Sequence, residues 1–264
     1  MSETRHTIAV DDGSTISYSV SAGTNPPVVI LHGLAGSSRE FIPTARALSP
    51  RRVILIDQRG HGFSTRMPAD TSRAAFVNDV IRVIEAESSQ PVDLVGQSMG
   101  AHTAMLVAAA HPALVQKLVL LEGNEGSGSA EEHAALGAYF RSWEVPFPNR
   151  AIAKESLGDG PLAKAWVADL EEREDGLYPR FDADVMVRTI CEATVPRWAE
   201  WESVSAHTIA VYADRGLFTE AQKAEFVRRG RNVTRVDLTN ASHDAHLDAS
   251  EQWFMVLREF LTAP

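Results

Sequence analysis

The chain has 264 residues, 44% hydrophobic and 23% charged, and its 25 Lys and Arg against 35 Asp and Glu give a net charge of −10 at pH 7. That composition belongs to an acidic globular protein with a sizeable core, one large domain carrying an insertion, and it excludes a disordered tail. With no clustered Lys/Arg stripe on a negative surface and no apolar run near the roughly 18 residues that span a bilayer, neither nucleic acid nor membrane is a partner.

Residues 1–12 lack the uninterrupted apolar stretch of a secretory leader. The one cysteine, Cys191, cannot close an intrachain disulfide, so the expected location is cytoplasmic and Cys191 is expected to be an ordinary buried thiol. Two β-rich runs, 7–10 and 15–20, flank Asp11-Asp12-Gly13-Ser14. The Asp-Gly step supplies the positive φ of a tight turn, so the chain should open with a hairpin. Short Val, Ile and Leu runs follow at 28–31, 53–56, 92–95 and 118–121, which is the pattern of strands buried on both faces. Helical patterns at 38–48, 73–87 and 99–110 separate them. Such alternation predicts an open, mostly parallel sheet with right-handed crossovers and helices on both faces.

After residue 121 the alternation lapses. The segment 123–205 reads as a helical insertion, so that 1–122 and 206–264 form the core. It holds Trp143, Trp166, Trp198 and Trp201, and the run Glu171-Glu172-Arg173-Glu174-Asp175 reads as a solvated helix face. The tryptophans are read equally as packing between small helices or as walls of an apolar pocket, with Trp143, Trp166 and Trp198 the wall candidates. The sheet pattern then resumes with a strand at 208–212, a helix at 220–229, a strand at 233–238 and an amphipathic helix at 250–261.

Gly96-Gln97-Ser98-Met99-Gly100 stands directly after the third of the buried strands and directly before a helix. A turn this sharp strains the backbone at the serine and leaves no room for side chains two positions to either side. It lifts the hydroxyl at the carboxyl edge of the sheet, with the helix N-terminus aimed at the same point. Ser242-His243-Asp244-Ala245-His246-Leu247 falls between the last strand and the last helix. A metal site built on His243, Asp244 and His246 has loose spacing and no partner motif, so no metal is expected.

With the nucleophile turn, His32-Gly33 after the first buried strand and Asp57-Gln58-Arg59-Gly60-His61-Gly62-Phe63-Ser64 after the second, the sequence resembles the α/β-hydrolase superfamily. The resemblance implies that fold, with the insertion as a helical cap, and a serine nucleophile at Ser98 with His243 as its base. His246 becomes a supporting or helix-entry residue. The backbone N–H groups of Leu34 and Met99 are implied as the oxyanion hole, two donors being what a tetrahedral oxyanion needs. His32 and His61 are implied as loop-ordering residues, and the 57–64 turn as structural.

Two carboxylates satisfy the order serine, acid, histidine. Asp214 follows the strand at 208–212, but the family's G-x-x-D pattern laid on Ala213-Asp214-Arg215-Gly216 puts Gly216 where the acid belongs. Some branches carry the acid after the strand that follows the nucleophile helix, which here is Glu122. Glu122 is favoured and Asp214 is the alternative; an acidic residue at position 122 also serves some relatives only to order the loop.

The implied activity is cofactor-free hydrolysis of a small-molecule carboxylic ester or lactone through an acyl-enzyme. A carbon-carbon bond hydrolase or a haloperoxidase-like relative would use the same residues. A small-molecule receptor retaining a hydrolase pocket is the alternative of another class. A histidine base with its ordinary pKa of about 6.5 implies activity rising toward neutral pH. Substrate identity and oligomeric state leave no mark on the sequence.

Overall fold

The turn at Asp11-Asp12-Gly13-Ser14 closes a hairpin as its residues require, with φ at Gly13 of 82° and hydrogen bonds from Gly13 N to Val10 O (3.0 Å) and Val10 N to Ser14 O (2.9 Å). The computed structural model describes residues 3–262. The hairpin's arms are β1 (Glu3–Ala9) and β2 (Thr15–Ser21). The four buried runs become β3 (Thr24–Leu31), β4 (Arg51–Asp57), β5 (Val92–Gln97) and β6 (Val115–Leu121). The sheet is completed by β9 (His207–Arg215) and β10 (Val233–Ser242), in the order β1-β2-β4-β3-β5-β6-β9-β10. β1 and β2 pair antiparallel, β2 meets β4 antiparallel, and every later pair is parallel.

Strand side chains alternate between two cores. Val29, Leu31, Ile54, Ile56, Leu94, Leu118, Leu120, Ala210 and Tyr212 face one; Val28, Ile30, Val53, Leu55, Val95, Val119, Leu121, Ile209 and Val211 face the other. The first is covered by α2 (Arg73–Glu87), α3 (Met99–Ala110), α8 (Trp198–Ser203) and α9 (Glu220–Arg229). The second lies under α1 (Ile42–Ala47) and α11 (Ser250–Thr262), with α10 (Ala245–Asp248) between β10 and α11. Burying each large aliphatic side chain in such a layer contributes about 1.5 to 3 kcal/mol, which makes the sheet the rigid part of the molecule. The expected helix at 38–48 is divided into a 3₁₀ turn, Ser38–Phe41, and α1, because Pro43 in the first turn of α1 has no N–H to continue the ladder.

Between β6 and β9 lie α4 (Ala130–Arg141), α5 (Arg150–Leu157), α6 (Pro161–Asp169), β7 (Glu171–Arg173), β8 (Gly176–Tyr178) and α7 (Ala183–Ala193). Phe140, Trp143, Phe147, Leu170, Leu177, Phe181, Val185 and Met186 give this segment a hydrophobic cluster of its own. Two expectations are corrected here. The charge run 171–175 is not a helix face: Glu171 pairs with Tyr178 and Arg173 with Gly176 in an antiparallel hairpin, whose Asp175-Gly176 step turns with φ 142° at the glycine. Cys191 is exposed on α7, its Sγ 3.5 Å from His133 Nδ1. The helix that carries it buries Val185, Met186, Thr189 and Ala193, and residue 191 falls on the other face.

α8 belongs with the sheet and not with the segment before it. Trp201 is fully buried, stacked on Phe226 with centroids 4.0 Å apart, and its Nε1 donates to Phe226 O at 2.7 Å.

Candidate active site

Gln97, Leu121 and Val211 stand level across the neighbouring strands β5, β6 and β9. The next residue on β5 is Ser98, and on β6 it is Glu122. Ser98 N donates to Leu121 O and Glu122 N to Val211 O, both at 2.9 Å, so the ladders continue one step past the strands while the chain turns away. Both residues take positive φ, 53° at Ser98 and 47° at Glu122, a strain on the order of 1 to 3 kcal/mol each that the surrounding ladders hold in place. Ser98 caps the N-terminus of α3. The glycine spacing has the steric cause its sequence implied: a Cβ on Gly96 would come within 2.3 Å of Gly100 O, and one on Gly100 within 2.4 Å of Leu31 O.

His243 lies past the end of β10. Its Nε2 is 2.9 Å from Ser98 Oγ and its Nδ1 3.1 Å from Glu122 Oε2. That fixes the tautomer: Nδ1–H donates to the carboxylate, and Nε2 is free to accept from the hydroxyl. Glu122 is fully buried and accepts three hydrogen bonds, from His243, from Ala213 N (2.8 Å) and from Leu217 N (3.0 Å). Burial pushes its carboxyl up, but those three donors outweigh it and hold the group below the ordinary carboxylate range.

Asp214 is turned elsewhere. Its carboxylate accepts from Asn240 N (2.8 Å) and Ala241 N (3.0 Å), tying β9 to the bend in β10 that precedes His243. Those same bonds lower its pKa. His246 also faces away: it stacks on Phe41 at 4.4 Å and places Nε2 3.4 Å from Glu40. Among the described residues no cluster of His, Cys, Asp and Glu could hold a metal ion.

His32 is fully buried, with Nδ1 2.7 Å from Gly33 O and Nε2 accepting from Gln58 N (3.0 Å). Burial depresses its pKa, so it orders the 33–34 loop as a neutral ring. In the 57–64 turn, Asp57 accepts from Ser38 N and Phe63 N, and Arg59 grips Asp79 with Nε and Nη2, both at 2.7 Å. Gly33 passes beside the serine: a Cβ on it would stand 3.4 Å from Ser98 Cβ. Leu34 therefore follows at the mouth of the same site.

The family model described as alpha/beta hydrolase fold matches residues 26–188. The chain belongs to the alpha/beta hydrolase family. The sn-1-specific diacylglycerol lipase ABHD11 of Mus musculus is 27% identical over 263 residues, covering 93% of this chain and 85% of that protein. Among solved structures, E-2-(acetamidomethylene)succinate hydrolase superposes with a TM-score of 0.88 at 22% identity, covering 98% of this chain and 100% of that one. The enol-lactonase from Burkholderia xenovorans LB400 gives 0.80 at 21%, with the same coverage. At these identities the two structures establish the fold.

In this alpha/beta hydrolase Ser98 and His243 line two cavities at once. The larger, about 590 Å³, runs past Met99, His102, Asn124, His133 and Gln222. The smaller, about 280 Å³, runs past Leu34, Phe140, Leu162 and Trp166. Of the three tryptophans expected as walls, Trp166 alone lines a cavity beside the serine, its Nε1 donating to Ala35 O at 3.0 Å. Trp143 sits behind it, centroids 5.0 Å apart, buried in the helical segment's own cluster. Trp198 lies on the sheet side, half-buried under the Arg229 guanidinium at 3.8 Å, because α8 packs on α3 and α9. Sequence reasoning passed over Gln97, which donates to His243 O at 3.2 Å, and His102, one helical turn after the serine. Both were within reach of the motif: one precedes Ser98 and the other shares its face of α3.

Proposed function

We propose that this alpha/beta hydrolase is a cofactor-free serine hydrolase that cleaves a carboxylic ester or lactone through an acyl-enzyme on Ser98. The observation that carries the reading is the continuous relay from Ser98 Oγ through His243 to Glu122, 2.9 Å and 3.1 Å long, at a strained strand-to-helix turn facing two cavities. Ser98 Oγ attacks the carbonyl carbon while its proton passes to His243 Nε2, and the carbonyl electron pair becomes an oxyanion. Backbone N–H groups of Leu34 and Met99 receive that charge; each such donor is worth roughly 3 to 4 kcal/mol of barrier. Collapse breaks the bond to the alcohol, which leaves with the proton from His243. Water then gives a proton to His243, its hydroxyl attacks the acyl carbon, and Ser98 departs as the hydroxyl again. Glu122 stays ionised, fixing the ring and balancing its transient charge.

In this reading 1–122 and 206–264 form the hydrolase core and the inserted helices the cap. The packing of α8 on α3 favours ending the cap near Arg197 instead of residue 205. Among the described residues no helix is long and apolar enough to cross a membrane, and the single cysteine suits action in the reducing cytoplasm.

The test is hydrolysis of p-nitrophenyl esters and simple lactones by wild type, Ser98→Ala, Glu122→Gln and Asp214→Asn, with folding followed by circular dichroism. Turnover by wild type, its abolition in Ser98→Ala and a far greater loss in Glu122→Gln than in Asp214→Asn are expected. Undiminished activity in a folded Ser98→Ala protein would sink the proposal.

A further inference from the structure

The two cavities that meet at Ser98 differ in kind. The smaller is walled by Leu34, Phe140, Leu162 and Trp166. The larger places polar side chains along its wall, and besides His243 two of them are imidazoles. His133 is 8% exposed and its Nε2 is buried with no hydrogen-bond partner. A Cβ on Gly128 would stand 2.9 Å from that nitrogen, and both residues line the larger cavity, so only a glycine's width of chain lies against the unpaired atom. His102 lies on the same wall, and burial, with the Arg73 charge behind it, pushes its pKa down to about 3, so the ring is neutral at physiological pH. Gln222 accepts from Thr219 through Oε1, and among the described residues its Nε2 makes no hydrogen bond.

Charge points the same way. Among the described residues no Lys or Arg lines either cavity, whereas Glu132 lines the larger, and Glu40 and Asp244 line the smaller. A substrate carboxylate would lose hydration on entering and find carboxylates in place of cations. A hydroxyl or amide, by contrast, finds a ring nitrogen already stripped of water and without a partner.

Resting on the serine hydrolase reading, we propose that the substrate is an uncharged ester with two unlike halves. An apolar group fills the smaller chamber against Trp166 and Phe140, and a hydroxyl- or amide-bearing group enters the larger one, where His133 Nε2 hydrogen-bonds it. His133 is thereby a specificity-determining residue, and esters bearing a carboxylate are poor substrates. A cavity that leaves a buried polar atom unpaired rejects the analogue lacking its partner more strongly than a purely apolar wall does.

The experiment compares kcat/KM for butyl hexanoate, 2-hydroxyethyl hexanoate, hexyl 3-hydroxypropanoate and the hexyl monoester of succinate, in wild type, His133→Leu, His133→Gln and Gln222→Leu. Two orientations of the polar half are included, so that either chamber can hold the acyl group. The better of the two hydroxylated esters should exceed butyl hexanoate about tenfold, and the carboxylated ester should fall about a hundredfold below it. In His133→Leu the hydroxylated-to-butyl ratio should drop about tenfold, and His133→Gln, which keeps a hydrogen-bonding group, should restore part of it. Should His133→Leu not fold, the wild-type ratios and Gln222→Leu carry the test. Equal rates on neutral and carboxylated esters, or a ratio unmoved by both His133 variants, overturn the inference while leaving the serine mechanism intact. Failure of wild type on every ester, with Ser98 unlabelled by an alkyl fluorophosphonate, overturns the hydrolase reading and this inference with it.

Discussion

The carboxylate of Glu122 occupies the space that any side chain at Gly216 would enter: a Cβ there would stand 2.3 to 2.5 Å from Oε1, Oε2 and Cδ. Positions 122 and 216 thus offer one volume to one acid, reached from the end of β6 or from the loop after β9. The glycine is the complement of the glutamate.

That complementarity makes a swap testable. Gly216→Ala should push the carboxylate off His243 and lower kcat by about a hundredfold or more, the scale on which losing the orienting acid acts. Glu122→Ala should do at least as much. Combining Glu122→Ala with Gly216→Asp should recover at least about tenfold over the single variant, because the new carboxylate starts from the vacated volume. Initial rates on one p-nitrophenyl ester decide it; a double variant no better than Glu122→Ala would show that 216 cannot aim an acid at His243.

Asp214 gives the opposite expectation. Its bonds to Asn240 N and Ala241 N shape the bend before His243 without touching the imidazole. Asp214→Asn keeps one acceptor and the same shape, so kcat/KM should fall less than about tenfold. Faster proteolytic nicking near residues 239–243, measured against wild type, would reveal the loosened bend.

The tryptophans separate packing from recognition. Trp143 is buried and lines neither cavity beside the serine; Trp143→Ala should cost about 3 to 5 kcal/mol in urea unfolding while the order of preferred substrates stays the same. Trp166→Ala should enlarge the smaller chamber and shift the optimum toward longer chains in a series from acetate to decanoate. A shifted optimum in Trp143→Ala and not in Trp166→Ala would reverse these assignments.

The pattern of the chain spells the sheet and the serine turn, because buried strands and a glycine-bounded nucleophile are local requirements. Ser98 and His243, singled out from their places in the chain, lie with His243 Nε2 2.9 Å from Ser98 Oγ. Glu122 is favoured over Asp214 in the sequence because Gly216 breaks the expected pattern, and the Glu122 carboxylate fills the space a side chain at 216 would take. Other features have no local signature. A charge run such as Glu171-Glu172-Arg173-Glu174-Asp175 is equally solvated on a helix or a hairpin, and only the turn at Gly176 decides. Trp198 and Trp143 differ only in what packs over them, residues from α9 in one case and from the helical insertion in the other. The division of the site into two chambers arises where α4, α7 and the loop at Leu217 converge, three segments far apart in the chain.

Three buried histidines, His32, His61 and His102, have depressed pKa values and make stability fall with pH. Burial pushes His61 down to about 3, helped by neighbouring His32, and His102 to about 3, helped by Arg73. In the unfolded chain each titrates near 6.5, so between pH 6.5 and 3 the unfolded state binds protons that the folded state refuses. Stability from these two rings is therefore fully present above about pH 6.5 and is lost as pH falls toward 3. At pH 5 the loss is about 2 kcal/mol for each ring relative to pH 7. Urea midpoints at the two pH values should differ accordingly, with the slope m unchanged. A folded His102→Gln variant should show a smaller histidine-linked drop than wild type, since one of the depressed rings no longer titrates. The same pH dependence in that variant as in wild type would assign the acid lability to other groups.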